Sequence, residues 1–399
     1  MTMSRRALLT AASLVPLSAC ALNPATSGSA AQVNGTAELR DLPLDTPRVG
    51  EAAAVSQRIA WEIIAKSEGN SVLSPSSLAS ALVMAGDGAA GASKTSVDQK
   101  FGLTGTERSA AFGALRQALA GYDSLPDKLP DEPPASPVVH QVARVLLLGD
   151  GLEPRQEYVE TVAQYYGMPV ERVAIAEAKA DLDAWARKHT AGLIEESAVE
   201  APEEGSLVLQ DALLFAAAWR QVFEESREVE FENRWVLGMA GEVTARRADG
   251  TDWRAIRLPY DDVLAMDVIV PLRAADPRQF TAETLEQVHD ALSSATPDSV
   301  EVEMPTLDLT GKTDVSGIVD LTDLSGISPG AWANKVIQQV RLKVGAKGTV
   351  GAALTEAFLE TALVERPEPF LVNRPYCLRV LDTRTGWPLF LAVITTPES

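Results

Sequence analysis

Few residues of this chain stand at spacings that could perform covalent chemistry. Gly86-Asp87-Gly88-Ala89-Ala90-Gly91 has the form of a dinucleotide fingerprint, in which a preceding strand aims backbone N–H groups at a pyrophosphate. A helix-like run precedes these glycines instead, so they read as the turn that ends it, and no nucleotide is expected. Serine chemistry lacks its motifs: there is no Gly-x-Ser-x-Gly elbow and no lysine three residues after a serine. The acidic doublets Glu195-Glu196, Glu203-Glu204 and Glu224-Glu225 read as solvated charge rather than as acid and base. His140, His189 and His289 stand isolated, each structural or solvent-facing, and nothing is spaced for a metal. The residues thus argue against an enzyme and call for no cofactor.

The informative stretch is Lys347-Gly348-Thr349-Val350-Gly351-Ala352-Ala353-Leu354-Thr355, small and uncharged after its lysine. Upstream, Val340, Leu342 and Val344 alternate with Gln339, Arg341 and Lys343, the pattern of a strand with one buried face. Roughly two dozen residues, including Pro367 and Pro369, then precede Phe370, Asn373-Arg374-Pro375-Tyr376 and a terminal apolar run, a connection of functional length. Threaded into a sheet, Thr349, Gly351, Ala353, Thr355, Ala357, Leu359 and Thr361 would share one uncharged face, with Glu356 and Glu360 on the other. Insertion would therefore bury no unpaired ion, which would cost several kcal/mol. The segment reads as an exposed loop able to become a strand.

Other passages fall in a matching order. Asn70-Ser71-Val72-Leu73-Ser74-Pro75-Ser76-Ser77-Leu78, Phe215-Ala216-Ala217-Ala218-Trp219, the Gly348-Thr349 stretch, Asn373-Arg374-Pro375-Tyr376, and Pro388-Leu389-Phe390 with Thr396-Pro397 together span about Pro47 to Pro397. In these motifs the chain resembles the serpins. The resemblance implies an α+β fold with three β-sheets, eight to nine helices and an exposed reactive-centre loop at about residues 348–369. It implies a serine-type endopeptidase inhibitor acting as a suicide-substrate trap, with a serine protease as partner. Gly348, Thr349, Val350, Gly351, Ala352 and Ala353 would form the hinge. Counting fourteen residues on from Gly348 puts the reactive bond near Ala362, among Thr361, Ala362 and Leu363. These residues suit an elastase-like or subtilisin-like protease. Arg366 precedes Pro367, whose missing amide N–H makes that bond a poor trypsin substrate.

Ser74, Ser77, Asp211 and Gln338 would form the polar cluster under the main sheet, with Trp219 near its end. The chain departs from the family pattern there: Asp211 stands for a usual Asn and Gln338 for a usual His. A Gln amide can donate to an Asp carboxylate, so the two are expected to touch. Ala346, Val350 and Gly351 replace usual hinge residues, and the segment from Lys312 to Ser328 is shorter than is common. A non-inhibitory serpin-fold binding protein at the cell surface is the alternative reading, and an unrelated lipoprotein hydrolase a third.

The elements that must hold this loop are legible in outline. Val55–Ile64, Pro75–Ala85 (capped by Ser74), Pro154–Tyr166 and Lys179–Ile194 read as helices, Val138–Leu148 and Leu207–Phe215 as buried strands. Helices lead and antiparallel strands follow, an α+β order. With 46% hydrophobic residues in 399, the chain can bury a large core, and no break in composition forces a division within 47–399. The formal charge of −20 opposes nucleic acid and anionic lipid. Asp123 to Pro137 carries five prolines and several acids and reads as an extended or mobile surface loop. Its sign also argues against a heparin-like cofactor. A monomer is expected.

At the N-terminus Arg5-Arg6, an apolar run from Ala7 to Leu17 and Leu17-Ser18-Ala19-Cys20 read as an export signal ending in a bacterial lipobox, with some twin-arginine character. Residues 1–19 would be removed and Cys20 acylated, tethering the domain to a membrane through residues 20–46, rich in Asn, Pro, Ser, Gly, Thr and Ala. The expected location is the outer face of the bacterial cytoplasmic membrane or otherwise extracytoplasmic. Cys377 would then be the one unmodified cysteine, a packing residue.

Overall fold

Ser74 begins the element on which the rest is assembled. Its hydroxyl accepts from the Ser77 amide at 3.3 Å, and Pro75 occupies the first turn, where its missing N–H costs nothing. The resulting helix α2 (Pro75–Asp87) buries Leu78, Leu82 and Val83. The computed structural model describes residues 30–33, 35–128, 132–223, 225–273, 275–333, 336–349 and 368–397. Cys20, Val350, Gly351, Ala352, Ala353, Thr361, Ala362 and Leu363 lie outside them.

The helices among the described residues are α1 (Val49–Ile64), α2, α3 (Gly91–Phe101), α4 (Gly105–Gln117), α5 (Gln156–Tyr166), α6 (Ile175–His189) and α7 (Ala282–Ser294), with single 3-10 turns at Ala120–Tyr122 and Pro277–Gln279. The expected Lys179–Ile194 helix begins four residues earlier and ends five earlier. Ala191 and Gly192 take positive φ and stop it. Gly88 and Gly91 do form a turn, between α2 and α3. A Cβ on Gly88 would lie 2.1 Å from the Ile327 side chain, so this glycine permits close packing.

The strands are β1 (Ala31–Val33), β2 (Ser71–Leu73), β3 (Val138–Leu148), β4 (Val170–Val173), β5 (Leu207–Ala218), β6 (Glu225–Phe231), β7 (Arg234–Asp249), β8 (Trp253–Pro259), β9 (Leu264–Pro271), β10 (Pro297–Pro305), β11 (Leu307–Asp314), β12 (Ile337–Gly345), β13 (Gly348–Thr349), β14 (Phe370–Leu371), β15 (Tyr376–Asp382) and β16 (Trp387–Ile394). One sheet runs β1-β4-β3-β5-β13-β12-β11. The second network, β14-β10-β7-β8-β9-β15-β16-β2 with β6 on β7, carries two of the expected three sheets as one continuous path. Strand β7 joins them: its residues 234–246 pair with β6 and β10, and 246–249 pair with β8.

The core lies between α2 and the sheets. Apolar side chains of α1, α2, β5, β9, β15 and β16 fill it, including Phe215, Phe390 and Leu389. One charged cluster is buried under α7: Arg257 and Arg379 both donate to Asp267, and Arg379 also reaches the Leu285 carbonyl. Paired on two sides, Asp267 is held below the usual carboxylate range, Arg257 and Arg379 overcoming its burial.

Candidate functional site

The site begins where the alternation of β12 ends. Val340, Leu342 and Val344 are buried, and the chain turns back after Gly345 so that Gly348 and Thr349 lie between β5 and β12. Both pairings are antiparallel: Gly348 opposes Ala218 and Gly345, and Thr349 opposes Ala217 and Val344. Gly348 has φ 151°, and a Cβ there would come within 2.2 Å of the Ala217 carbonyl oxygen, so only glycine fits.

Aromatic residues hold this turn. Trp219 donates from its backbone to the Lys347 carbonyl at 3.1 Å and from Nε1 to the Gly345 carbonyl at 2.8 Å. Its ring stacks on Tyr260 with centroids 4.6 Å apart. The Tyr260 hydroxyl in turn shares a 2.6 Å hydrogen bond with Thr349 Oγ1, both groups buried. The Phe223 amide donates to the Ala346 carbonyl, and Lys347 pairs with Glu132 of the proline-rich loop. Tyr260, Phe223 and Glu132 carried no signal in the sequence, because each is brought in from a distant segment.

Past Val344 and Ala217 the two flanking strands have no shared partner among the described residues. Among the described residues β5 pairs with β3 along one edge and with β13 only at Ala217 and Ala218 on the other. Likewise β12 pairs with β11 throughout and with β13 only at Val344 and Gly345. A small cavity of about 80 Å³ lies between them, lined by Leu209, Asp211 and Leu213 of β5, Ile337 and Arg341 of β12, and floored by Ser74 and Ser77. Two strand edges facing one cavity are a template for a further strand.

The polar cluster at the floor differs from expectation. Gln338 accepts from the Ser74 amide at 3.0 Å and donates to the Ser74 carbonyl at 2.8 Å. Asp211 instead accepts from the Ser77 hydroxyl. The two share no hydrogen bond, against the expected donation from the Gln amide to the Asp carboxylate: each is tied instead to a different end of the first turn of α2. Burial raises the Asp211 carboxyl to about 7, against the pull of Arg116 and Ser77. Arg116, at the end of α4, was invisible as a member of this cluster in the sequence. Its Nη1 lies 3.9 Å from Asp211 Oδ2.

The histidines were also misread as isolated. His140 Nε2 and His189 Nδ1 are 3.0 Å apart, and His140 Nδ1 is 2.6 Å from Asp123 Oδ1, linking β3 to the end of α6. Among the described residues no cluster of His, Cys, Asp and Glu is placed to hold a metal. Cys377 is buried, and burial pushes its thiol up to about 12. No described helix is long and apolar enough to cross a membrane.

Comparison with known proteins agrees with this architecture. The serpin (serine protease inhibitor) family matches residues 51–397. An uncharacterised serpin-like protein of Thermococcus kodakarensis is 25% identical over 366 residues, covering 85% of this chain and 83% of that one. Leukocyte elastase inhibitor of Bos taurus is 24% identical, covering 82% and 93%. Among solved structures, the native state of the thermophilic serpin tengpin superimposes with a TM-score of 0.77 at 17% identity, over 92% of this chain and 99% of that one. With that family match over most of its length, and the fold around Gly348 to carry it, the chain belongs to the serpin family of serine protease inhibitors.

Proposed function

We propose that this protein traps a serine protease covalently through cleavage of the loop at about residues 348–369 and insertion of its first half beside β5. The observation that carries the reading is that β13 is already started between β5 and β12, whose facing edges have no other partner among the described residues. Continuing that register residue by residue sets Thr355 opposite both Asp211 on β5 and Gln338 on β12, and Leu359 opposite Leu207 at the end of β5. Thr349 faces the core through Tyr260, so Gly351, Ala353, Thr355, Ala357 and Leu359 would face it too, all uncharged. Thr355 would supply the hydroxyl that bridges the two halves of the polar cluster. A reactive bond among Thr361, Ala362 and Leu363 lies just past this register.

The protease serine attacks the carbonyl carbon of the residue before the scissile bond, the C–N bond breaks, and the new amine departs with the C-terminal segment. Insertion then carries the acyl-enzyme away from that segment. New pairing along two edges and burial of an apolar face drive the movement. Residues at 361–363 suit an elastase-like or subtilisin-like enzyme, and similarity to an elastase inhibitor supports that class. On the Leu17-Ser18-Ala19-Cys20 segment we further propose export and acylation at Cys20, which would set the trap on a membrane surface.

The test is incubation with elastase, subtilisin and trypsin, followed by denaturing electrophoresis and mass spectrometry. A denaturation-resistant complex with cleavage among residues 361–363 is expected for the first two. Cleavage without a complex, and without a rise in thermal stability, would overturn trapping and favour a non-inhibitory binding protein.

A further inference from the structure

The sheet has a second opening, remote from the first. Among the described residues, 138–144 of β3 pair only with β5, because β4 reaches no further than Val145. Along that edge lies a cavity of about 290 Å³, bounded by the end of α4, the end of α6 and the turn between α5 and β4. Leu119, Val139, Met168 and Trp185 give it an apolar wall. Among its polar residues is Arg116, whose side chain is only 8% exposed.

Arg116 is poorly satisfied. Nη2 donates to the Gln141 carbonyl at 3.0 Å and lies 3.7 Å from the Met168 sulfur. Nε and Nη1 have no hydrogen-bond partner, which leaves three of the five N–H donors of a buried guanidinium unanswered. Asp211 does not complete it: at 3.9 Å the ion pair is beyond hydrogen-bond reach, and Asp211 Oδ2 is itself unpaired. Burial raises that carboxyl to about 7, and Asp123 is a further, more distant counter-charge for Arg116. The other acids lining the cavity are engaged elsewhere, Asp123 with His140 and Glu171 with Arg144 at 2.8 Å.

We propose that this cavity binds a small amphipathic carboxylate of the medium-chain fatty-acid kind. Its carboxylate takes the place of the Met168 sulfur beside Arg116 Nη2, and its apolar chain lies along Leu119, Val139 and Trp185. Met168 is the residue displaced. Its sulfur sits 3.1 Å from the Ala143 amide on the open strand edge as well as near Arg116, and a thioether is a weak acceptor on a flexible side chain. A carboxylate oxygen in its place answers both donors. Because Arg116 faces Asp211 on β5, the strand beside the hinge cavity, an occupied site alters the charge balance under the strand that must accept the loop.

The probe is decanoate, with decanol as its uncharged match, titrated calorimetrically into the full chain at pH 7.5 below the micellar concentration. Decanoate is expected to bind at least tenfold more tightly than decanol, with Arg116→Met abolishing the difference. Since that variant touches a buried cluster, Ala120→Trp is the second test. Ala120 is exposed on the cavity rim, so this variant should keep its melting temperature and bind decanoate at least tenfold more weakly. Equal binding of decanoate and decanol, no binding of either, or undiminished decanoate binding by Ala120→Trp overturns the proposal. None of these outcomes depends on whether a protease is trapped.

Discussion

Replacing Asp211 by Asn tests the electrostatics under the sheet directly. Asn keeps the oxygen that accepts from Ser77 and removes only the titration. Burial raises the folded-state carboxyl from 3.8 to about 7. A raised acid contributes stability that is complete below the unfolded value and is lost as pH rises through the folded one, because the folded state binds the extra proton. At about 1.4 kcal/mol per pKa unit the whole loss is about 4 kcal/mol, of which about 2.6 kcal/mol falls between pH 5 and pH 8. Wild type and Asp211→Asn are therefore compared by urea unfolding at unit steps across that range, followed by tryptophan fluorescence. The gap in unfolding free energy should move by about 2–3 kcal/mol in favour of the variant as pH rises from 5 to 8. Histidines titrate in both proteins and cancel in the difference. Parallel curves would mean that Asp211 is ionised throughout, held by Arg116 despite the 3.9 Å separation, and the reasoning would fail.

Three further outcomes follow from the same geometry. Gly348→Ala sets a methyl 2.2 Å from the Ala217 carbonyl oxygen and should expel β13, costing about 2–3 kcal/mol and blunting the heat-stabilisation on loop cleavage, read by differential scanning calorimetry. Asp267→Asn leaves Arg257 and Arg379 buried without their carboxylate, and denaturant unfolding should show a loss of about 3–5 kcal/mol. Burial, then His140, hold His189 down to about 3, so the unfolded chain takes up a proton below about 6.5 that the folded chain refuses. Stability should consequently fall on acidification through that window, and His189→Gln should flatten the acid limb of a melting-temperature profile.

Local physics made much of this protein legible from its residues. Strand β12 was readable because burial on one face forces a period of two, and the start of α2 because a serine followed by proline satisfies a helix terminus with neighbours in the chain. The uncharged face of the loop is likewise a property of alternation alone. Helices α3, α4 and α7 drew less notice: α3, for example, buries only Ser93, Val97 and Phe101, too few for a clear apolar stripe. What the sequence could not decide was which buried side chain meets which. Amphipathic spacing says that Asp211, Gln338, Arg116, His140 and His189 face inward or outward, but not that Asp211 looks to Ser77 and Arg116 while Gln338 grips Ser74. Those partners lie tens to hundreds of residues apart, and no local propensity couples them. Only the packing of β5 and β12 on α2, with two residues of β13 wedged between, set their distances, and with them the raised carboxyl of Asp211 and the two strand edges on either side of Gly348 and Thr349.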